Sequence, residues 1–225
     1  MRAGVLAIAT ASSLAFATGP AAAETVTFEQ QAASIFAGGG FANVRTSATG
    51  DQLISAGGFR IQDANDTARK LIAWCVELSD RLRLPNEYTL NQTLLSQSVR
   101  NNLQHLFNAA FHHVDVNDNA QSAGFQLAVW EVIEETSGTF DLRTGSFSAT
   151  ASTAVLRQGQ AYLDKMASAA PETLALTFWE ATGAQTGRSS QNLVTAAPIP
   201  LPAAALLLLT ALGATVAVGR RRREA

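Results

Sequence analysis

Apolar and polar positions alternate in short runs through the first part of the chain. Thr25-Val26-Thr27-Phe28 alternates strictly, Phe41-Ala42-Asn43-Val44, Gln52-Leu53-Ile54 and Phe59-Arg60-Ile61 follow, and Leu71–Leu78 is the most apolar run. A period of two in segments of this length predicts β-strands. Gly38-Gly39-Gly40 and Gly57-Gly58 are expected as hairpin turns between them. Neither cluster leads into the Lys-Ser/Thr of a nucleotide-binding loop, so phosphate cradling is set aside.

After Pro85-Asn86 the period changes. Val99, Leu103, Leu106, Phe107 and Ala110 share one face of a helix expected over Ser96–Val114. Asp115–Asn119 is a polar loop, and Asn119 or Ser122 is a candidate cap for a second helix over about Ser122–Glu135. Ser152–Ala167 predicts a third helix, and strands return at Thr173–Glu180 and Gln191–Ala196. Strands, then helices, then strands predict an α+β fold: an antiparallel sheet or partial barrel with about three packed helices. No repeat with the period of a solenoid is visible. The domain is expected to span residues 24–197.

Both ends read as addresses. Residues 1–23 have the layout of a secretory signal peptide: Arg2, an apolar run to Phe16, the Gly19-Pro20 break, and Ala21-Ala22-Ala23 as a small-x-small cleavage site, with Ala21 and Ala23 at its key positions. Residues 198–225 hold Ile199-Pro200-Leu201-Pro202-Ala203, an apolar stretch of about 18 residues ending at Gly219, and Arg220-Arg221-Arg222-Arg223. That length is near the lower limit for a transmembrane helix. The arginines would hold the C-terminus on the cytoplasmic side. The prolines make the preceding segment extended and open to a protease.

These last 28 or so residues resemble the VPLPA variant of the PEP-CTERM sorting signal, with Ile199 in place of Val. The resemblance implies a Gram-negative exported protein: an inner-membrane-anchored precursor, cut near the proline motif by a C-terminal sorting protease (an exosortase) after signal peptidase has acted at the other end. The product would lie in the envelope, at the outer surface or outside the cell. A protein that keeps its inner-membrane anchor is the plainer alternative.

Composition narrows the function. Of 225 residues, 47% are hydrophobic and 15% charged, with 16 Lys+Arg and 18 Asp+Glu. Without residues 1–23 and 198–225, 11 basic and 17 acidic residues remain, a net charge of −6. A domain of that sign lacks the clustered cations that bind nucleic acid. One cysteine makes neither an internal disulfide nor a Cys-x-x-Cys metal site. His105 and His112 could share a helix face but lack a third ligand at good spacing, and with His113 they are expected to be surface or hydrogen-bonded histidines. Asp115-x-Asn117-x-Asn119 begins like a calcium loop, but Ala120 and Gln126 stand where that loop needs Gly and Glu. No metal, cofactor or catalytic constellation is expected, and no hydrolase elbow is present.

The informative pair is Cys75 and Gln126. Cys75 lies in Ala73-Trp74-Cys75-Val76-Glu77-Leu78, pointing away from the Ile72, Trp74, Val76, Leu78 face. Gln126 sits in an apolar helical stripe with Val129, Trp130 and Ile133. A buried amide must find partners or cost about 1–3 kcal/mol. It can bond the strand backbone, or it can react with the thiol to form a thioester and release ammonia.

Trp-Cys-Val-Glu at Cys75 and Gln126-Leu127-Ala128-Val129-Trp130 together resemble the Cys-Gln (Thr-Gln-x-Ala type) thioester domains of bacterial surface proteins, with Phe125 standing where that family has Thr. The resemblance implies a bond from Cys75 to Gln126 that captures amines on a target surface. Trp130, one turn from Gln126, would shield the site; Trp74, across its strand, would seal the core beneath. Attachment rather than turnover is the expected function, with surface amines or extracellular polysaccharide as partners. A non-covalent polysaccharide- or polymer-binding module is the alternative.

Overall fold

The computed structural model describes residues 24–168, 170–183, 187 and 189–199. The signal peptide with Ala21 and Ala23, the sorting residues Pro200 to Ala203, the apolar stretch and Arg220–Arg223 lie outside the described residues. Among the described residues no helix is long and apolar enough to cross a membrane.

Among the described residues, nine strands and three α-helices alternate much as the hydrophobic pattern requires. They are β1 (Thr25–Gln30), β2 (Ala42–Thr46), β3 (Ile54–Ala56), β4 (Phe59–Asp63), β5 (Lys70–Cys75), β6 (Asn86–Leu90), α1 (Gln97–Ala110), α2 (Asn119–Glu134), β7 (Ala149–Thr150), α3 (Thr153–Lys165), β8 (Leu174–Ala181) and β9 (Leu193–Pro198). Six strands close an antiparallel barrel in the order β1-β4-β5-β9-β8-β6, and β3-β2-β7 form a small separate sheet. The α+β expectation holds, and the partial barrel is a closed one.

Two expectations are corrected. Gly38–Gly40 and Gly57-Gly58 are not hairpin turns, because β2 and β3 pair with each other while β1 and β4 pair within the barrel. Both glycine clusters are crossovers between the two sheets. The crossing chains touch: a Cβ on Gly57 would stand 2.6 Å from the Gly40 carbonyl oxygen. The second correction is β6, which follows Pro85 directly; its pairing with β1 and β8 closes the barrel.

Register decides which side chains face inward. Val26 pairs with Tyr88, Ala73 with Thr195, and Cys75 with Leu193, which itself pairs with Trp179. Cross-strand partners share a face, so Tyr88, Trp179 and Cys75 belong to the barrel interior. There Phe28 contacts Tyr88 and Trp179 at 5.3 and 5.2 Å between ring centroids. Trp179 Nε1 donates to Thr195 Oγ1, which satisfies the one polar atom of that buried indole. Trp74, one residue from Cys75, faces outward into the helical layer and packs on Phe111 and Phe125.

The helices start where side-chain oxygens can accept first-turn amides: Ser96 from Val99, Asp118 from Gln121, and Ser152 from Val155. The middle cap is Asp118, so α2 begins one turn earlier than the apolar stripe indicated. Helix α2 is buried on every side from Ser122 to Val132, as a helix enclosed by barrel, β3, α1 and α3 must be. Its crossing with α3 is close. A Cβ on Gly124 would lie 2.8 Å from the Gly159 nitrogen.

Candidate functional site

The ladder between β4 and β5 ends at Phe59–Ala73. Two residues on, the backbone groups of Cys75 on that side have no strand to meet. Gln126 supplies the partner: the Cys75 N–H donates to Gln126 Oε1 at 2.9 Å, and Gln126 Nε2 donates to the Cys75 carbonyl at 2.9 Å. The carboxamide thus stands in for one more residue of β4. Gln126 is 1% exposed and Cys75 fully buried, so both bonds form away from bulk water, where leaving either group unpaired is costly. The pair expected from the sequence is brought together, with the carboxamide carbon against the backbone of the residue that carries the thiol.

The thiol points into the barrel end. Cys75 Sγ donates to the Glu77 carbonyl at 2.6 Å. Burial pushes its pKa up to about 12, and Glu77's carbonyl and the nearby Trp130 indole only partly oppose that. The free thiol therefore stays protonated at neutral pH and is no thiolate nucleophile toward outside reagents. The Glu77 carboxylate is held by the Asn192 backbone N–H at 2.7 Å and by Asn192 Nδ2 at 3.2 Å. Below it, Tyr88 Oη bonds Ser190 Oγ. Burial also raises the Tyr88 pKa to about 12.

Gln126 and Trp130 open onto a cavity of about 520 Å³ between β3 and the segment after β5. Its walls are mostly polar, with Thr49, Ser55, Ser79, Asp80 and Gln191 among the lining residues. Trp130 is 2% exposed, and its indole N–H has no oxygen or nitrogen partner. Trp130 lines this cavity beside Gln126, and Trp74, on the other face of β5, is fully buried against Phe111 and Phe125.

The remaining candidates fall at the surface. His105, His112 and His113 are exposed, the last two with ring centroids 3.9 Å apart and planes tilted by 41°. No group of three or more metal-ligating side chains occurs among the described residues. Asp115–Asp118 is a connecting loop, with Asn119 already the first residue of α2, and in it Asn117 Oδ1 accepts from Arg60 Nη2. Ile199 ends the described chain, its N–H bonded to the Thr173 carbonyl.

Sequence reasoning missed two carboxylates at the end of α2. Glu131 is fully buried and Glu135 8% exposed. Glu135 accepts from Ser137 N, Ser146 Oγ and Phe147 N, which hold its pKa down at about 2. Glu131 Oε1 accepts from Asp141 N at 2.7 Å while Oε2 has no partner, and burial raises its pKa to about 7. The signal was present in the sequence: two acids four apart closing an otherwise apolar helix. They tie the 135–148 loop to α2, away from Cys75.

No family model matches the chain, and no curated protein does. Among solved structures it is similar to the N-terminal domain of the Streptococcus pyogenes pilus tip adhesin Cpa, at 13% identity and a TM-score of 0.39, over 78% of this chain and 100% of that one. A likeness this loose transfers no residue's role.

Proposed function

We propose that the chain is an exported surface-attachment protein that captures amines through a thioester between Cys75 and Gln126. The observation that carries this reading is the two-point hydrogen bond between the Gln126 carboxamide and the Cys75 backbone, at the floor of a polar cavity. Sulfur attacks the carboxamide carbon, and the charge that develops on Oε1 is met by the Cys75 N–H already bonded to it, a preorganised donor. Nitrogen leaves as ammonia, taking the thiol proton with it, so the exchange is balanced with no outside reagent. An amine entering the cavity then attacks the same carbon, forms an amide at Gln126 and returns the proton to sulfur.

Burial supports the reading in a second way. A bond that water would hydrolyse persists only in a dry site, and Cys75, Gln126 and Trp130 are all buried. The high thiol pKa gives the released Cys75 little tendency to be lost as thiolate to oxidants. Export and sorting through residues 1–23 and 198–225 belong to the same proposal, and would place the amine trap at the cell surface. The experiment is labelling with a biotinylated primary amine followed by peptide mapping. Label on Gln126 that disappears in Cys75→Ala supports capture. Label scattered over other residues, or unchanged in Cys75→Ala, overturns it and leaves the non-covalent binding module.

A further inference from the structure

The cavity over Gln126 continues into a second one. Ser55 and Phe59 line both, and the second, about 510 Å³, is walled by Ile35, Phe36, Leu82, Arg83 and Leu84. Segment 78–84 forms one bank along the whole length; the other is Ile54 and Ser55 of β3 beside Gln126, and Ser55 with Ile35 and Phe36 beyond it. The result is a trench, polar where it passes Gln126 and mixed beyond Phe59, where Ile35, Phe36, Leu82 and Leu84 stand beside Gln30 and Arg83.

β3 presents a free edge to that trench. Among the described residues it pairs only with β2. The Ser47 N–H bonds the Ser148 carbonyl in register with Thr46–Ala149 and Arg45–Thr150. Alternation then turns the backbone groups of Val44 toward β3, where Val44 meets Ile54. The N–H and C=O of Ser55 therefore point away from β2, and Ser55 is exposed and lines both cavities. An unpaired strand edge along a groove is the geometry that accepts an added strand.

Charge selects the occupant. Arg81 and Arg83 are exposed on the opposite bank, and the ion pairs among the described residues involve neither. Arg83 Nε donates to the Ser189 carbonyl, which holds its guanidinium at the trench without neutralising it; two cations outside those ion pairs, on a domain that is acidic in sum, complement an acidic segment. Asp80 lines the cavity over Gln126 and supplies the counter-charge for one approaching ammonium.

We infer that the trench binds an extended acidic polypeptide that pairs with the Ser55 edge of β3, sets its carboxylates on Arg81 and Arg83, and fills the Phe36–Leu84 end with an apolar side chain. The placement of its lysine over Gln126 rests on the capture reading; the binding does not.

Binding is tested on the exported full chain carrying Cys75→Ala, which cannot form a thioester. The probe is a fluorescein-labelled peptide in which Glu alternates with Leu around one central Lys, read by anisotropy. We expect saturable binding, weakened about tenfold in Arg81→Ser/Arg83→Ser, the loss of two exposed charge contacts. Ser55→Pro should weaken it similarly, because proline removes the outward donor and is tolerated on an edge strand. Arg143→Ser, in a separate cavity against α3, should change nothing. No saturable binding, or binding indifferent to both trench variants, overturns the inference. So does displacement of the peptide by polygalacturonate with undiminished polygalacturonate binding in Ser55→Pro, which would make the trench a site for anionic polysaccharide. If wild-type protein takes up methylamine while the peptide fails to bind, the trench reading falls and capture stands. Peptide binding without methylamine uptake gives the reverse.

Discussion

Replacing Gln126 by Ala in a Cys75→Ala background isolates what the carboxamide contributes to the fold, because no thioester can form in either protein. The perturbation removes both bonds to residue 75, each 2.9 Å long, and the backbone N–H and C=O remain. An orphaned buried group costs about 1–3 kcal/mol, so two cost about 2–6. The adjoining cavity lets water reach the vacated space, which favours the lower half, about 2–4 kcal/mol. Urea unfolding is the assay: with a slope of about 1–3 kcal/mol/M, the midpoint should fall by roughly 1–2 M at unchanged slope. A loss below about 1 kcal/mol would refute the claim that the carboxamide completes the ladder of β5. Gln126→Glu adds a sign test. Its carboxylate can accept from the Cys75 N–H but has no hydrogen for the carbonyl until protonated, so its folded pKa must be raised. Stability should be full below the ordinary Glu value of about 4.3 and be lost as pH rises above it.

Other consequences are independent of that pair. Because Glu131's pKa is raised to about 7, its contribution is present below the ordinary carboxylate range and lost as pH rises toward 7; Glu131→Gln should flatten that slope and stabilise the protein at pH 8 by thermal unfolding. Glu135, with its pKa lowered to about 2, works oppositely, so Glu135→Gln should lose stability at neutral pH and narrow its gap from wild type toward pH 2. Gly159→Ala should destabilise by about 1–3 kcal/mol despite alanine's better helix propensity, since its Cβ would meet the Gly124 oxygen at 2.8 Å and Leu142 Cδ1 at 2.7 Å. The secreted form should end near Pro202, and recovery of surface protein that retains Arg220–Arg223 would contradict sorting by C-terminal cleavage.

The strands and helices with strong periodicity could be read from the chain, because half-buried strands and amphipathic helices such as α1 and α3 write their burial into the residue order. β6 could not: Asn86, Glu87 and Thr89 are polar, and only Tyr88 and Leu90 mark its inward face. What makes it a strand is pairing with β1, some sixty residues away, and non-local pairing leaves no local trace. The same limit turned two glycine crossovers into expected hairpins, since a glycine cluster announces a change of direction but not which strand it serves. Cys75 and Gln126 were legible for a different reason. A lone thiol and an amide in an apolar stripe are each anomalous, and anomalies in a core are paired. The trench was invisible because its two banks are set side by side by the pairing of β4 with β5, a register that the residue order does not announce.

The thioester is tested most directly by the intact mass of the purified secreted protein, taken with thiol titration before and after methylamine. A mass one ammonia below that of the processed sequence, no titratable thiol in the unfolded chain, and a thiol that appears as methylamine adds to Gln126 are the results expected. Full mass, with Cys75 titratable on unfolding before any amine is added, would contradict covalent capture.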